Sequence, residues 1–219
     1  MGIKAVLFDL IGTTVIEKDP SLITRCFVAA FKDHKVDIES SIIKAHRGKD
    51  KRVMVGTVLS EKGLPLTLTE PVLQSFQNHL QSGLDNFGKN DGADDVFRYL
   101  KDRKILVGLG SGLSRDMLEA ILHHVGWNEA DFDYVGVAEE IGKSRPDPAM
   151  LIDVMRKLNI QSHELLKVGD TVADVLEGKN AKVKTVAILS GTQDEKEIAD
   201  AGPDFIIRSL VELKQIVSS

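Results

Sequence analysis

The chain has 219 residues, 42% of them hydrophobic, which is enough for one sizeable core or a core with a small accessory domain. A net charge of −5, with lysines and arginines scattered along the chain, excludes the basic face that a nucleic-acid or membrane-surface protein needs. A single cysteine, Cys26, rules out an intrachain disulfide and fits a reducing cytoplasm.

Residues 1–10 carry Lys4 and Asp9 and lack the charged start, apolar middle and cleavage site of a secretion signal. No run approaches the roughly 20 apolar residues of a membrane span. Residues 3–10 hold Val6, Leu7 and Phe8 in an apolar run stopped by Gly12, and predict a strand buried on both faces, as in a parallel sheet. Asp19 before Pro20 predicts an N-cap followed by a first-turn proline. Leu22, Cys26, Ala29 and Ala30 then recur at helical spacing, so Cys26 reads as a packing residue. The pattern stays helical to about Leu84, broken at Leu64-Pro65 and Glu70-Pro71, and residues 17–86 are expected to form an all-helical insertion. Residues 86–92, rich in Gly, Asn and Asp, read as a return linker.

Beyond the linker, strands are predicted at 105–109, 134–137, 165–169, 185–189 and 205–207. Helices are predicted at 94–103, 115–125, 148–158, 172–180 and 195–201. This alternation predicts an α/β fold, a doubly wound parallel sheet built from residues 1–16 and 87–219. Ligands in such folds bind beyond the carboxyl ends of the strands, so the residues just after each strand carry the information.

Four motifs stand at those positions. They are Asp9-Leu10-Ile11-Gly12-Thr13-Thr14, Ser111-Gly112, Arg145-Pro146-Asp147-Pro148, and Gly169-Asp170-Thr171-Val172-Ala173-Asp174. In this order and spacing they resemble the motifs of the haloacid dehalogenase superfamily, and the helical insertion resembles its small cap. The resemblance covers the whole chain. It implies a hydrolase acting on a small phosphorus-containing molecule, and the charge balance argues against a nucleic-acid or membrane partner. The oligomeric state stays open, a homodimer included.

The residues support this chemistry on their own terms. Asp9 and Asp170 would converge at neighbouring strand ends, where a hard divalent cation relieves their repulsion; magnesium prefers such carboxylates with water and substrate oxygens. Asp174, four residues on, faces the same way at a helix start. The cation would neutralise a phosphoryl group so that the Asp9 carboxylate can attack it, giving an aspartyl-phosphate. Ser111, with the backbone around Gly112, offers a hydroxyl and amides to a phosphoryl oxygen, and Arg145 offers a permanent cation. Lys143 is the rival for the last role; Arg145 is preferred because the basic residue of the family sits directly before the proline. The resemblance assigns the same roles to Asp9, Ser111, Arg145, Asp170 and Asp174. It adds a positioning role for Thr13 and makes the Ile11 carbonyl a metal ligand.

Ile11 is the departure that decides the subclass. Phosphatases of the superfamily carry a second aspartate there, which protonates the leaving group; without it the roughly 100- to 10,000-fold from general acid catalysis is lost. The tract 9–15 and the fourth motif, with Glu177-Gly178 and Asn180-Ala181, resemble the phosphonatase-like branch, typified by phosphonoacetaldehyde hydrolase. In that enzyme a cap lysine forms a Schiff base with the substrate aldehyde. Lys51, three residues after Gly48, matches that lysine's spacing, and closure of the cap is expected to bring the Gly48 to Lys51 segment to Asp9. Met54 stands where the branch has a cap histidine. The alternatives are a phosphatase recruiting another acid, such as His46 or water, a metal-free dehalogenase, and a non-catalytic binder of phosphorylated ligands.

Overall fold

The structure, a computed structural model, describes residues 2–44 and 51–218. In chain order its elements are β1 (Ala5–Asp9), β2 (Val15–Glu17), α1 (Leu22–Asp33), α2 (Ser40–Lys44), α3 (Lys51–Glu61), α4 (Thr69–Gln81) and β3 (Phe87–Lys89). They continue with α5 (Ala93–Asp102), β4 (Leu106–Ser111), α6 (Arg115–His124), β5 (Tyr134–Val137), α7 (Ala138–Ile141), α8 (Ala149–Leu158) and β6 (Leu165–Gly169). The last are α9 (Val172–Asn180), β7 (Lys184–Ile188), α10 (Glu195–Asp200), β8 (Phe205–Ile207) and α11 (Leu213–Ser218). The chain divides into two compact units, Met1–Ile16 with Gly88–Ser219, and Glu17–Phe87.

The first unit is a six-stranded sheet in the order β5-β4-β1-β6-β7-β8, every pair parallel. All five residues of β1 are buried, as its unbroken apolar run predicts for a strand covered on both faces. Alternate side chains serve opposite layers. Phe8 meets the Phe97 ring of α5 edge-on, with centroids 5.3 Å apart. Leu7 joins a cluster with Tyr134 of β5 and Met150, Leu151 and Val154 of α8. The chain runs outward from β1 through β4 to β5, then returns to β6 on the other side of β1. That reversal is a switch point, and it opens the crevice in which such sheets place their sites.

Register fixes what lies at that crevice. Asp9 pairs with Gly110 and Phe8 with Val168, so Asp9, Ser111 and the Gly169-Asp170 step end their strands at one edge of the sheet.

The second unit is helical. Phe27 of α1 stacks on Phe76 of α4 with ring centroids 3.8 Å apart. Cys26, Ala30 and Phe31 share the buried face of α1, and Val72 and Leu80 that of α4. Cys26 is thus a packing residue, and burial pushes its thiol up to about 11.

Several local expectations need correction. Asp19 does not cap α1; its Oδ1 accepts from the Ser21 N–H at 2.9 Å and from the Ser21 hydroxyl at 2.7 Å, making a turn that delivers Ser21 to the cap position. Pro71 is no breaker, because it sits in the first turn of α4, where its missing N–H has no partner to lose. The stretch 86–92 is more than a linker: it contains β3, which forms a two-stranded sheet with β2, and the boundary between the units runs through these two strands. The short helices α7 and α11 were not foreseen either. No helix among the described residues is long and apolar enough to cross a membrane.

Leu7→Ala should remove packing from both β4 and α8 at a fully buried point and cost roughly 2–5 kcal/mol. Urea unfolding should report it as a lower midpoint with an unchanged slope. A loss below about 1 kcal/mol would show that the layer around β1 can collapse onto the gap.

Candidate active site

After Asp9 the chain folds back on itself. The N–H groups of Thr14 and Val15 donate to the Leu10 carbonyl at 3.0 and 2.8 Å, and the Gly12 N–H donates to the Val15 carbonyl at 2.7 Å. Ile11 lies in this turn, bridged to Val15. Gly12 has φ +94°, and a Cβ there would stand 2.2 Å from Asp170 Oδ2, so conformation and space both demand glycine. The turn is pinned from two directions. The Ser190 hydroxyl, beyond β7, donates to the Gly12 carbonyl at 2.6 Å. The Asn90 side-chain amide donates to the Thr13 carbonyl at 2.7 Å and to Ser190 Oγ at 3.0 Å.

This turn delivers the Thr13 hydroxyl to Asp170, to which it donates at 3.0 Å. Asp174 enters from the first turn of α9, where Thr171 is the N-cap. The Thr171 hydroxyl donates to Asp174 Oδ2 at 2.5 Å, and the Asp174 N–H donates back to that hydroxyl at 3.2 Å. One oxygen each from Asp9, Asp170 and Asp174 lies within 4.8 Å of the others, and all three residues are buried. Carboxylates are hard oxygen donors, so this trio could hold a divalent cation.

Arg145 bridges the cluster, with its guanidinium 2.7 Å from Asp9 Oδ1 and paired with Asp174 Oδ1. Lys143, its rival in the sequence, is exposed. Beneath them, Lys167 Nζ lies 2.9 Å from Asp174 Oδ1 and 3.2 Å from Glu177 Oε2. The electrostatics follow. Burial, with repulsion from Asp9 and Asp174, pushes the Asp170 carboxyl well above its ordinary range. Burial likewise raises Asp9, although Arg145 opposes the shift. Burial would raise Asp174 too, but Arg145 and Lys167 together outweigh it and hold this carboxyl low. With all four ionised, the buried carboxylates would outnumber the two cations by two charges, a surplus that a divalent ion would balance.

Ser111 is buried at the end of β4, and its Oγ accepts from the Leu113 N–H at 3.1 Å, which leaves its own proton to donate. Gly112 follows in the same turn. Of the other anticipated residues, Lys51 opens α3 in the helical unit, while Gly48 and His46 lie outside the described residues. Met54 is buried on α3.

The profile described as Haloacid dehalogenase-like hydrolase matches residues 6–188, from β1 through β7. The chain belongs to that family. This hydrolase is 25% identical over 260 residues to a phosphonoacetaldehyde hydrolase of Bacillus cytotoxicus, covering 99% of this chain and 96% of the relative. It is 26% identical over 220 residues to pyrophosphatase PpaX of Halalkalibacterium halodurans, covering 99% and 98%. Among solved structures, a hydrolase from Pseudomonas syringae shares the fold with a TM-score of 0.87, 17% identity and coverage of 98% of each chain.

The sequence reading of this hydrolase missed Lys167, Asn90, Ser190 and Gly191. Lys167 had a signal: it is the one charged residue in the strand Leu-Leu-Lys-Val-Gly, which is buried throughout. Ser190-Gly191 also had one, because it follows a predicted strand just as Ser111-Gly112 does. A Cβ on Gly191 would stand 1.9 Å from Asp170 Oδ2. Asn90 had none, since nothing local marks its amide as the clamp of a distant turn.

Gly191→Ala should force the Asp170 carboxylate off Thr13 and also push the two loops apart, because the new Cβ would meet Asp170 Cβ at 2.8 Å as well as its carboxylate. The melting temperature should fall by several degrees with the protein still folded, and turnover on any accepted substrate should fall about a hundredfold. Undiminished turnover would show that the position of Asp170 is unimportant.

Proposed function

We propose that this hydrolase uses Asp9 as the nucleophile in magnesium-dependent cleavage of a P–C or P–O bond in a small phosphonate or phosphate. The observation that carries the reading is the convergence of Asp9 with Arg145, Asp170 and Asp174 in one buried cluster with an excess of negative charge. That excess fits a doubly charged hard cation bound to a mostly carboxylate donor set, with the Ile11 carbonyl as a further oxygen. When bound, the ion neutralises charge on a phosphoryl oxygen and so lets an anionic nucleophile approach.

The chain's own residues do the rest. Asp9 attacks phosphorus through a carboxylate oxygen, the bond to the leaving group breaks, and water later cleaves the aspartyl-phosphate. Thr13 holds Asp170 in place by the hydroxyl it donates. Ser111 and Arg145 take the remaining phosphoryl oxygens, with Gly112 leaving the backbone open to them.

Ile11 narrows the substrate. It has no proton to give, so the leaving group must depart with little protonation. Two kinds of substrate satisfy this. In a phosphonoacetaldehyde-type reaction Lys51 condenses with the aldehyde, and the iminium accepts the electrons of the breaking P–C bond. The phosphonoacetaldehyde hydrolase relative supports this version, as does the spacing of Gly48 and Lys51. A phosphoanhydride is the second kind, since its leaving phosphate is stable unprotonated, and the pyrophosphatase relative supports it at nearly the same identity.

Asp9→Asn keeps the shape of the side chain and removes the nucleophile. Turnover should fall on the order of 10³-fold or more with the circular dichroism unchanged, and chelation should silence the parent enzyme until Mg2+ is returned. Substantial turnover by this variant, or full activity in excess chelator, would remove Asp9 or the cation from the reaction.

The two kinds of substrate separate at Lys51. With phosphonoacetaldehyde, borohydride should trap a mass increase on the peptide containing Lys51, and Lys51→Arg should prevent it. If no adduct forms while pyrophosphate is hydrolysed, the anhydride reading stands and Lys51 is a phosphate contact at most.

A further inference from the structure

Lys167 interrupts an otherwise apolar strand, and its side chain is 1% exposed. Burying an ammonium is costly unless it is paired. Both of its partners are buried as well, Asp174 at 2.9 Å and, three residues further along α9, Glu177 at 3.2 Å. The contacts are close but poorly aligned, and neither Lys167 Nζ nor Glu177 Oε2 has a well-formed hydrogen bond. Stability does not explain the arrangement, since well-packed apolar residues in place of such a group are often as stable or more so. What Lys167 does to Asp174 is the better explanation.

Asp174 Oδ2 is occupied by Thr171, and Oδ1 is shared between Arg145 and Lys167. Arg145 also holds Asp9. To meet a phosphoryl group, Arg145 has to loosen its hold on these carboxylates. Without a second cation, Asp174 would then keep only the Thr171 hydrogen bonds against its charge and would pull Arg145 back. With Lys167 in place, it would not.

We propose that Lys167 is a positioning residue: it acts as the standing counter-charge of Asp174 and so frees Arg145 for the phosphoryl group of the substrate. Glu177, on the far side of the ammonium, sets how much of that charge Asp174 receives. The inference rests on Arg145 being the phosphoryl-binding cation of the function proposed above.

The test measures affinity for Mg2+ alone and for inorganic phosphate by titration calorimetry at pH 8. Lys167→Met removes a positive charge near the carboxylates and leaves Arg145 as the sole cation on Asp174. Mg2+ should bind about fivefold tighter and phosphate about fivefold weaker. Glu177→Gln removes a negative charge beside Lys167 and should shift both affinities the opposite way. A merely structural role would weaken both ligands together. Shifts of the same sign for the two ligands, or no shift in either variant, overturn the proposal. If Lys167→Met does not fold, Glu177→Gln decides, because it leaves Asp174 its cation. If the parent protein binds no Mg2+, the cation-dependent part of the functional reading fails. The phosphate titrations still judge Lys167: affinity lowered by Lys167→Met and raised by Glu177→Gln supports its role, and anything else sinks it.

Discussion

Three carboxylates share the carboxyl end of β1, with oxygens within 4.8 Å of one another and almost no contact with water. At an effective dielectric near 20, each such pair, when both are ionised, repels by about 3.5 kcal/mol or more, and desolvation adds to that. The surrounding elements can be read as responses to this crowding. Arg145 spans Asp9 and Asp174, Lys167 supports Asp174 from below, Thr171 caps it, and Thr13 donates to Asp170. These neighbours do not treat the three alike. Asp174 is surrounded by cations and hydroxyls and stays ionised, whereas Asp170 has one hydroxyl and a raised pKa. A cation bound beside Asp170 would favour its ionised form, so the same crowding would couple cation affinity to pH.

Holding a charge cluster in a fixed shape demands backbone on all sides, and here backbone contact means glycine. Gly12 and Gly191 approach the Asp170 carboxylate from two loops, one after β1 and one after β7, too close for any Cβ. The clamp through Ser190 and Asn90 ties those loops to each other and to the chain returning at residue 90. A site on loops is ordinarily imprecise. This one is built at the ends of buried strands and cross-tied by side chains, so the positions of Asp9 and Asp170 inherit the rigidity of the sheet.

How far the sequence reveals all this depends on the range of the interaction. Strand β1 was legible because burial on both faces leaves an unbroken apolar run, and α5 because Val96, Phe97 and Leu100 recur at helical spacing. Asp9, Arg145, Asp170 and Asp174 were legible because each follows a strand or opens a helix, where a charged residue has few other reasons to recur in order. The β2–β3 ribbon was not legible: three residues give no measurable period, and Gly and Asn at 86–92 signal a turn whether or not a strand intervenes. The Asn90 clamp joins residues 77 and 100 positions apart, and nothing in the local sequence encodes such a pairing. Asp19 misled because a carboxylate that caps a turn and one that caps a helix look the same in sequence.

The charge network also bears on the leaving group. An acid catalyst must hold a proton that it can release near neutrality. Of the ionisable groups that meet around Asp9, Arg145 is driven further toward its protonated form by Asp174 and Asp9 despite its burial, and so gives nothing up. Lys167 is likewise kept charged by Asp174 and Glu177 against the effect of burial. Asp174 holds no proton to give. The Asp170 carboxyl is pushed up by burial and by Asp9 and Asp174, and a bound cation would offset that repulsion. The apolar side chain at Ile11 is therefore consistent with its neighbours, since these groups around Asp9 are arranged to fix charge and none of them to pass a proton outward. On the reading proposed above, such a site would favour substrates whose own structure absorbs the departing electrons, an iminium beside a P–C bond or a phosphate across an anhydride, over simple alkyl esters.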